Sequence, residues 1–293
     1  MLNLLRHELF SRWGAVLGWG SGLSLFGVLY IAIYPQIADK IGVLADISFY
    51  QTMGVDMGSF EGIIASSVIL NFVVMLGVFV IISSSDTLSG EEDRGTLELV
   101  VTMPLRRWHI VTTKSIALAV VILEILVLAG ICSVIALIWM KNSIAVDVTS
   151  AQLFIAVLSC FPITMAILMI GLFFSASMPN RRIASMATTV VFVASYLGEM
   201  LARSVDSLEV IRPIFLFHYF DSSANLFLRG VQFNDVAILA GIALVFFVLT
   251  LISFQRRDIT VAQWPWQRAV ARHARGQVIT DDESDKSNHS DAH

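Results

Sequence analysis

Apolar residues in this chain come in runs too long for a soluble core, with the polar positions gathered between them. Six windows with almost no charge stand out, at 14–34, 62–85, 115–140, 152–176, 183–201 and 236–254. The hydrocarbon core of a bilayer is about 30 Å thick and a helix rises about 1.5 Å per residue, so about 20 apolar residues suffice to cross it. In hydrocarbon every backbone N–H and C=O has to be paired within the segment, so runs of this length read as helices. The pattern predicts an all-α integral membrane protein with six transmembrane helices. The fifth window is the weakest, because Glu199 and Arg203 crowd its end.

Shorter segments with helical period flank these windows. In residues 1–13, Leu2, Leu5, Leu9 and Trp13 share one side, with Arg6, His7 and Arg12 on others. That pattern predicts an N-terminal interfacial helix lying in the headgroup layer. The first apolar window follows a short cationic stretch, as in a signal peptide. It is long and lacks a small-residue cleavage site, so it reads as a retained anchor. After the last window, residues 256–275 form a basic segment in which Pro265 can open a helix. Trp266, Ala269, Val270 and His273 would take one side, and Arg268, Arg272 and Arg275 the other. Membrane lipid is the expected partner of both flanks, a solvated basic tail being the other reading of residues 256–275. Residues 276–293 are acidic and nearly free of apolar groups, which predicts a disordered tail. Residues 14–255 are left as the six-span transmembrane domain.

Composition agrees: 56% of residues are hydrophobic and only 14% charged, with a mean hydropathy of +0.77. Charge adds orientation. With the N-terminus inside, 14 of the 19 Lys and Arg fall on the inner side and five (Lys40, Lys141, Arg203, Arg212, Arg229) on the outer. Cations accumulate in loops that stay in the cytoplasm, so both termini are expected there, in a multi-pass protein of the plasma membrane. The net charge of −4 owes much to the tail, and no nucleic-acid partner is expected. The two cysteines, Cys132 and Cys160, sit inside predicted spans as small apolar groups, without disulfide or metal-site spacing.

Two loops are large enough to carry function. The outer one, 202–234, contains the apolar, proline-interrupted piece 213–220, too short to span and expected to dip into the outer leaflet or pack as a lid. His218 has no second histidine or carboxylate at ligand spacing and reads as a packed histidine. The inner one, 86–114, concentrates charge between the second and third spans. Ser89 and Glu92 suggest a capping box opening a helix near Gly90 and Glu91. Leu97, Val100 and Val101 would give that helix its apolar face, and Pro104 would end it. Arg106, Arg107, Trp108 and His109 would start a second interfacial segment leading into the third span. Two short amphipathic helices joined by a proline make a handle at the membrane surface.

In these residues the chain resembles the permease subunits of type-2 ABC exporters. That family carries in its first cytoplasmic loop an acidic residue, then Gly-Thr-Leu-Glu, an apolar run, Pro, a basic residue and a later Lys. Here the matching positions are Glu91, Glu92, Arg94, Gly95, Thr96, Leu97, Glu98, Leu99, Pro104, Arg107 and Lys114. The family often leaves its last span with an aromatic, basic residues and Asp, matched by Phe254, Arg256, Arg257 and Asp258. The resemblance covers residues 1 to about 260. It implies coupling of the loop 86–114, through Glu91, Glu92, Arg94, Gly95, Thr96, Leu97, Glu98, Pro104 and Arg107, to a separate ATP-binding subunit that holds ATP and Mg. It also implies alternating-access export of an amphipathic drug, peptide or lipid-like substrate. Six helices give too little wall for a pathway, so a second permease protomer, identical or related, is expected.

The residues themselves support a transport subunit with no ATPase site and no cofactor of its own. A phosphate-cradling loop needs Lys and Ser or Thr after its last glycine, whereas Thr96 follows Gly95 and Glu91, Glu92 and Asp93 would repel phosphate. An intramembrane protease, suggested by Glu91-Glu92, fails on spacing: Arg94 lies only two residues on and no histidine is mid-span. An ion-gradient-coupled transporter is the stronger alternative, because Asn71 and Glu124 lie inside spans, where a carboxylate is expensive. Asn71 and Glu124 are thus candidates for lining the pathway or a helix interface. Gly77, Gly130 and Gly171 would permit close helix approach.

Overall fold

The computed structural model describes residues 2–45, 59–87, 89–90, 107–141, 148–220, 226–227 and 230–256. Within them a short helix α1 (Leu2–Ser11) precedes six long ones: α2 (Trp13–Ala45), α3 (Phe60–Thr87), α4 (Arg107–Met140), α5 (Ser150–Ser177), α6 (Arg181–Ser204) and α7 (Phe233–Arg256). Each of the six contains a stretch long and apolar enough to cross a membrane, and α6 has the lowest hydropathy. No strand occurs among the described residues, and the all-α, six-span expectation holds. Residues 257–275 and the tail 276–293 lie outside the described residues.

The helices run longer than the apolar windows, because backbone pairing continues until a cap or a proline intervenes. α4 is continuous from Arg107, so Arg107, Trp108 and His109 open the third span itself rather than a separate interfacial segment. Asn180 caps α6 by accepting the Ile183 N–H on its Oδ1 at 3.0 Å. Two spans are irregular. Residues Ile64–Ile69 of α3 are wound as π-helix, and α5 breaks at Ser159. Pro162, which lacks an N–H, falls in the first turn after the break, where none is needed. The irregularities touch, the Cys160 thiol donating to the Ile69 carbonyl at 3.7 Å.

α3 and α5 form the centre of the bundle, while α2, α6 and α7 leave most of their surface outward. Small residues let the inner helices approach. Gly77 lies against Phe192, Gly130 against Phe154 and Gly171 against Ser84, in each case closer than a Cβ would permit. α2 and α4 run parallel, since Glu8 near the first meets Lys114, Gly20 lies on Leu128 and Gly27 on Ser133.

At the far face from α1, the outer loop forms two 3-10 helices, η1 (Asp206–Ile214) and η2 (Leu216–Tyr219). Leu216, Phe217 and Phe220 are buried, and the Leu216 N–H donates to Ser195 Oγ at 2.7 Å. The apolar piece 213–220 therefore packs on α6 as a cover. Glu199 joins it from below, its buried carboxylate taking Arg212 at 2.9 Å and Arg203 at 3.3 Å. His218 Nδ1 lies 3.8 Å from the same carboxylate, so the packed histidine sits in a charged cluster.

Candidate functional site

The polar loop between α3 and α4 enters and leaves the bundle at the α1 face. Residues 91–106, with Glu91, Glu92, Arg94, Gly95, Thr96, Leu97, Glu98 and Pro104, lie outside the described residues. Arg107 is the first residue of α4. What the structure describes is how the loop is rooted.

The first root is pinned to the turn between α5 and α6. Asp86, in the last turn of α3, meets Arg181 at 3.1 Å. Ser89 is fully buried: its N–H donates to Ser175 Oγ at 3.1 Å and its hydroxyl to the Ser175 carbonyl at 2.7 Å. Ser89 and Gly90 are themselves helical, so this hydroxyl ties two spans together instead of opening a new helix as a cap. A Cβ at Gly90 would strike the Asp86 carboxylate and crowd Arg181, so a larger residue there would have to displace the ion pair.

The second root is held by α1. Lys114 is buried, at 2% side-chain exposure, and its ammonium meets Glu8 at 2.9 Å. Arg12 meets the other oxygen of Glu8 at 3.4 Å and reaches Thr87 Oγ1, at the end of α3, at the same distance. Burial alone would raise the Glu8 pKa, but the charges and hydrogen bonds of Lys114 and then Arg12 outweigh it and hold the acid below its ordinary value. A pair this enclosed contributes little net stability when intact, yet losing one partner costs about 3–5 kcal/mol. The Asp86–Arg181 pair is more exposed, at 32% and 44%, and contributes about 1 kcal/mol at most.

Both ends of the loop are thus fastened, one to the α5–α6 turn and the other to α1, with Arg12 bridging α1 to α3. Lys114 was legible as the last residue of the loop pattern. Glu8, Thr87, Ser175 and Arg181 were not singled out, since each acquires its partner only by folding. The i, i+4 spacing of Glu8 and Arg12 was the one local signal.

The two intramembrane candidates are not brought together by a hydrogen bond. Asn71, half-buried on α3, donates from its Nδ2 to the Ser67 carbonyl one turn back at 2.6 Å. Glu124 is exposed on the outer surface of α4, with no hydrogen bond or ion pair among the described residues.

Six apolar helices with a polar loop rooted at one face define a multi-pass membrane protein. Residues 2–259 match the family described as ABC-2 family transporter protein. The chain belongs to that family and is of the permease type, the membrane-spanning partner of an ABC ATP-binding subunit. No protein of curated function matches it.

Proposed function

We propose that the chain is the membrane-crossing half of an ATP-driven exporter in the plasma membrane, with the α1 face in the cytoplasm. A partner subunit binds ATP and Mg and docks on the loop 86–114, Glu91 and Glu92 supplying charge, with Pro104 and Arg107 among the coupling residues. Two permease protomers, identical or related, enclose the pathway and move an amphipathic substrate by alternating access.

The observation that carries this reading is the double rooting of the loop. A force applied to residues 91–106 passes through Asp86 and Ser89 to α5 and α6, and through Lys114 and Glu8 to α1 and α4. Because both roots are packed and buried in part, displacement of the loop tilts these helices together instead of being absorbed by slack chain. The contacting π-turn of α3 and break of α5 supply places for the spans to bend.

The test is reconstitution of the permease with its ATP-binding subunit. Glu91→Lys together with Glu92→Lys reverses the charge of the docking surface, so membrane insertion persists while permease-stimulated ATP hydrolysis is lost. Unchanged stimulation would overturn the assignment.

A further inference from the structure

The cover at the far face is fastened to α6 at three points and left open at a fourth. The Leu216 N–H donates to Ser195 Oγ at 2.7 Å, Arg212 holds Glu199 at 2.9 Å, and the Phe217 ring packs edge-on against Phe192 and Tyr196, centroids 5.6 and 5.2 Å away. The fourth point is His218. Arg203 and Arg212 both bring a guanidinium nitrogen to the same carboxylate oxygen of Glu199, Oε1. The second oxygen, Oε2, faces His218 Nδ1 across 3.8 Å, beyond the reach of about 3.2 Å that a hydrogen bond allows. Each of these two atoms is shut off from solvent and has no hydrogen-bond partner, a state that buried polar atoms rarely keep.

Imidazole is the side chain that changes charge between about pH 5 and 8, and the imidazolium carries a proton on both nitrogens. Neutral, with its proton on Nε2, the ring turns a lone pair toward Oε2 and nothing draws the two together. Protonated, it offers at Nδ1 a donor to an anion that has none on that oxygen, and a charge-assisted bond closes the gap. The His218 side chain is 30% exposed, so protons reach the ring from the solution on that side.

The charges around η2 decide the sign. α6 contributes Glu199 and Arg203, and η1 contributes Arg212, with Glu209 exposed. α7 contributes Asp235, which shares a small cavity with Tyr219 and Phe220. α5 also packs on η2 and carries no charged residue, and the Tyr219 hydroxyl is engaged with the Pro213 carbonyl at 2.9 Å. The two guanidiniums oppose a third cation. Both sit on the other oxygen, however, and at 32% and 26% exposure water screens them, whereas the carboxylate that Nδ1 meets directly is 5% exposed. Attraction therefore outweighs repulsion.

We propose that His218 and Glu199 form an acid-tightened latch, in which protonation of His218 clamps the η1–η2 cover on α6 and its deprotonation leaves the cover to the remaining contacts. The latch acts whatever drives transport, so it stands apart from the exporter reading.

The test is hydrogen–deuterium exchange of the peptide covering residues 206–220, in the full-length permease in lipid nanodiscs, at about pH 5.5 and about pH 7.5, near the two ends of the imidazole range. Rates are corrected for the intrinsic pH dependence of amide exchange. Lifting of the cover frees the Leu216 and Phe217 amides from Ser195, so their protection reports the latch. Wild type gains about tenfold protection at the lower pH, the worth of one charge-assisted hydrogen bond. His218→Gln shows the weaker protection at both pH values, and His218→Arg, cationic throughout, the stronger at both. Equal protection of wild type at the two pH values, protection that falls in acid, or a gain that survives in His218→Gln overturns the proposal. So does a His218→Arg chain no better protected at the higher pH than His218→Gln, because the histidine would then act through packing and not through charge.

Discussion

Replacing Glu8 with Gln removes the anion that faces Lys114 in the tightest contact of the loop's second root. The ammonium is 2% exposed and the carboxylate lies 2.9 Å away, so a close attraction that helps offset burial of the cation is lost. Breaking such a pair costs about 3 kcal/mol at the lower end. For a chain of this size that is on the order of 6–12 °C in unfolding temperature. The assay is thermal unfolding of the purified, detergent-solubilised permease, for Glu8→Gln, Lys114→Met and the double variant. With the cation gone as well, the burial that Glu8 offsets is no longer a cost, so the double variant recovers much of the loss. Acid supplies a second readout. Glu8 is depressed below its ordinary value of about 4.5, so its stabilisation is fully present above that pH and disappears as pH falls through the folded-state value. The gap between wild type and Glu8→Gln is therefore constant from pH 7 to about 5 and closes only below. Unfolding of Glu8→Gln within about 1 °C of wild type, or a double variant as unstable as the singles, would show that the Glu8–Lys114 contact does not hold the root.

Ser175→Ala removes the acceptor of the buried Ser89 N–H and destabilises by about 1–3 kcal/mol, seen in the same unfolding assay. Gly171→Ala drives a Cβ into Ser84 and costs about 1–3 kcal/mol, and Ser84→Gly in the same chain restores the space and most of the stability. Single-cysteine labelling tests orientation: Val210→Cys, at 88% exposure in the far-face cover, reacts with an impermeant reagent on intact cells, whereas Arg182→Cys reacts only after permeabilisation. Ser89 is unsuited to this experiment because it is buried. Labelling of Arg182→Cys from outside would reverse the orientation and remove the docking role of the loop.

The number of spans and the short N-terminal helix were legible in the sequence, because hydropathy over a window of 20 residues is a local property and a bilayer reads it locally. The close-packing role of Gly77, Gly130 and Gly171 was legible for a similar reason: a residue without a side chain inside a span marks where another helix or ring can approach. The partners of the loop were not. Lys114 and Glu8 are 106 positions apart and Ser89 and Ser175 are 86 apart, and no local periodicity announces a hydrogen bond across that separation. Nor could the sequence say which way Glu124 faces. A membrane helix is apolar on the side that meets lipid and on the side that meets protein, so amphipathic patterning, which orients helices in water, is nearly silent here. Only the packing of α4 against α2, α3 and α5 decides that Ile122 and Ile125 turn inward and that the carboxylate between them is left outside.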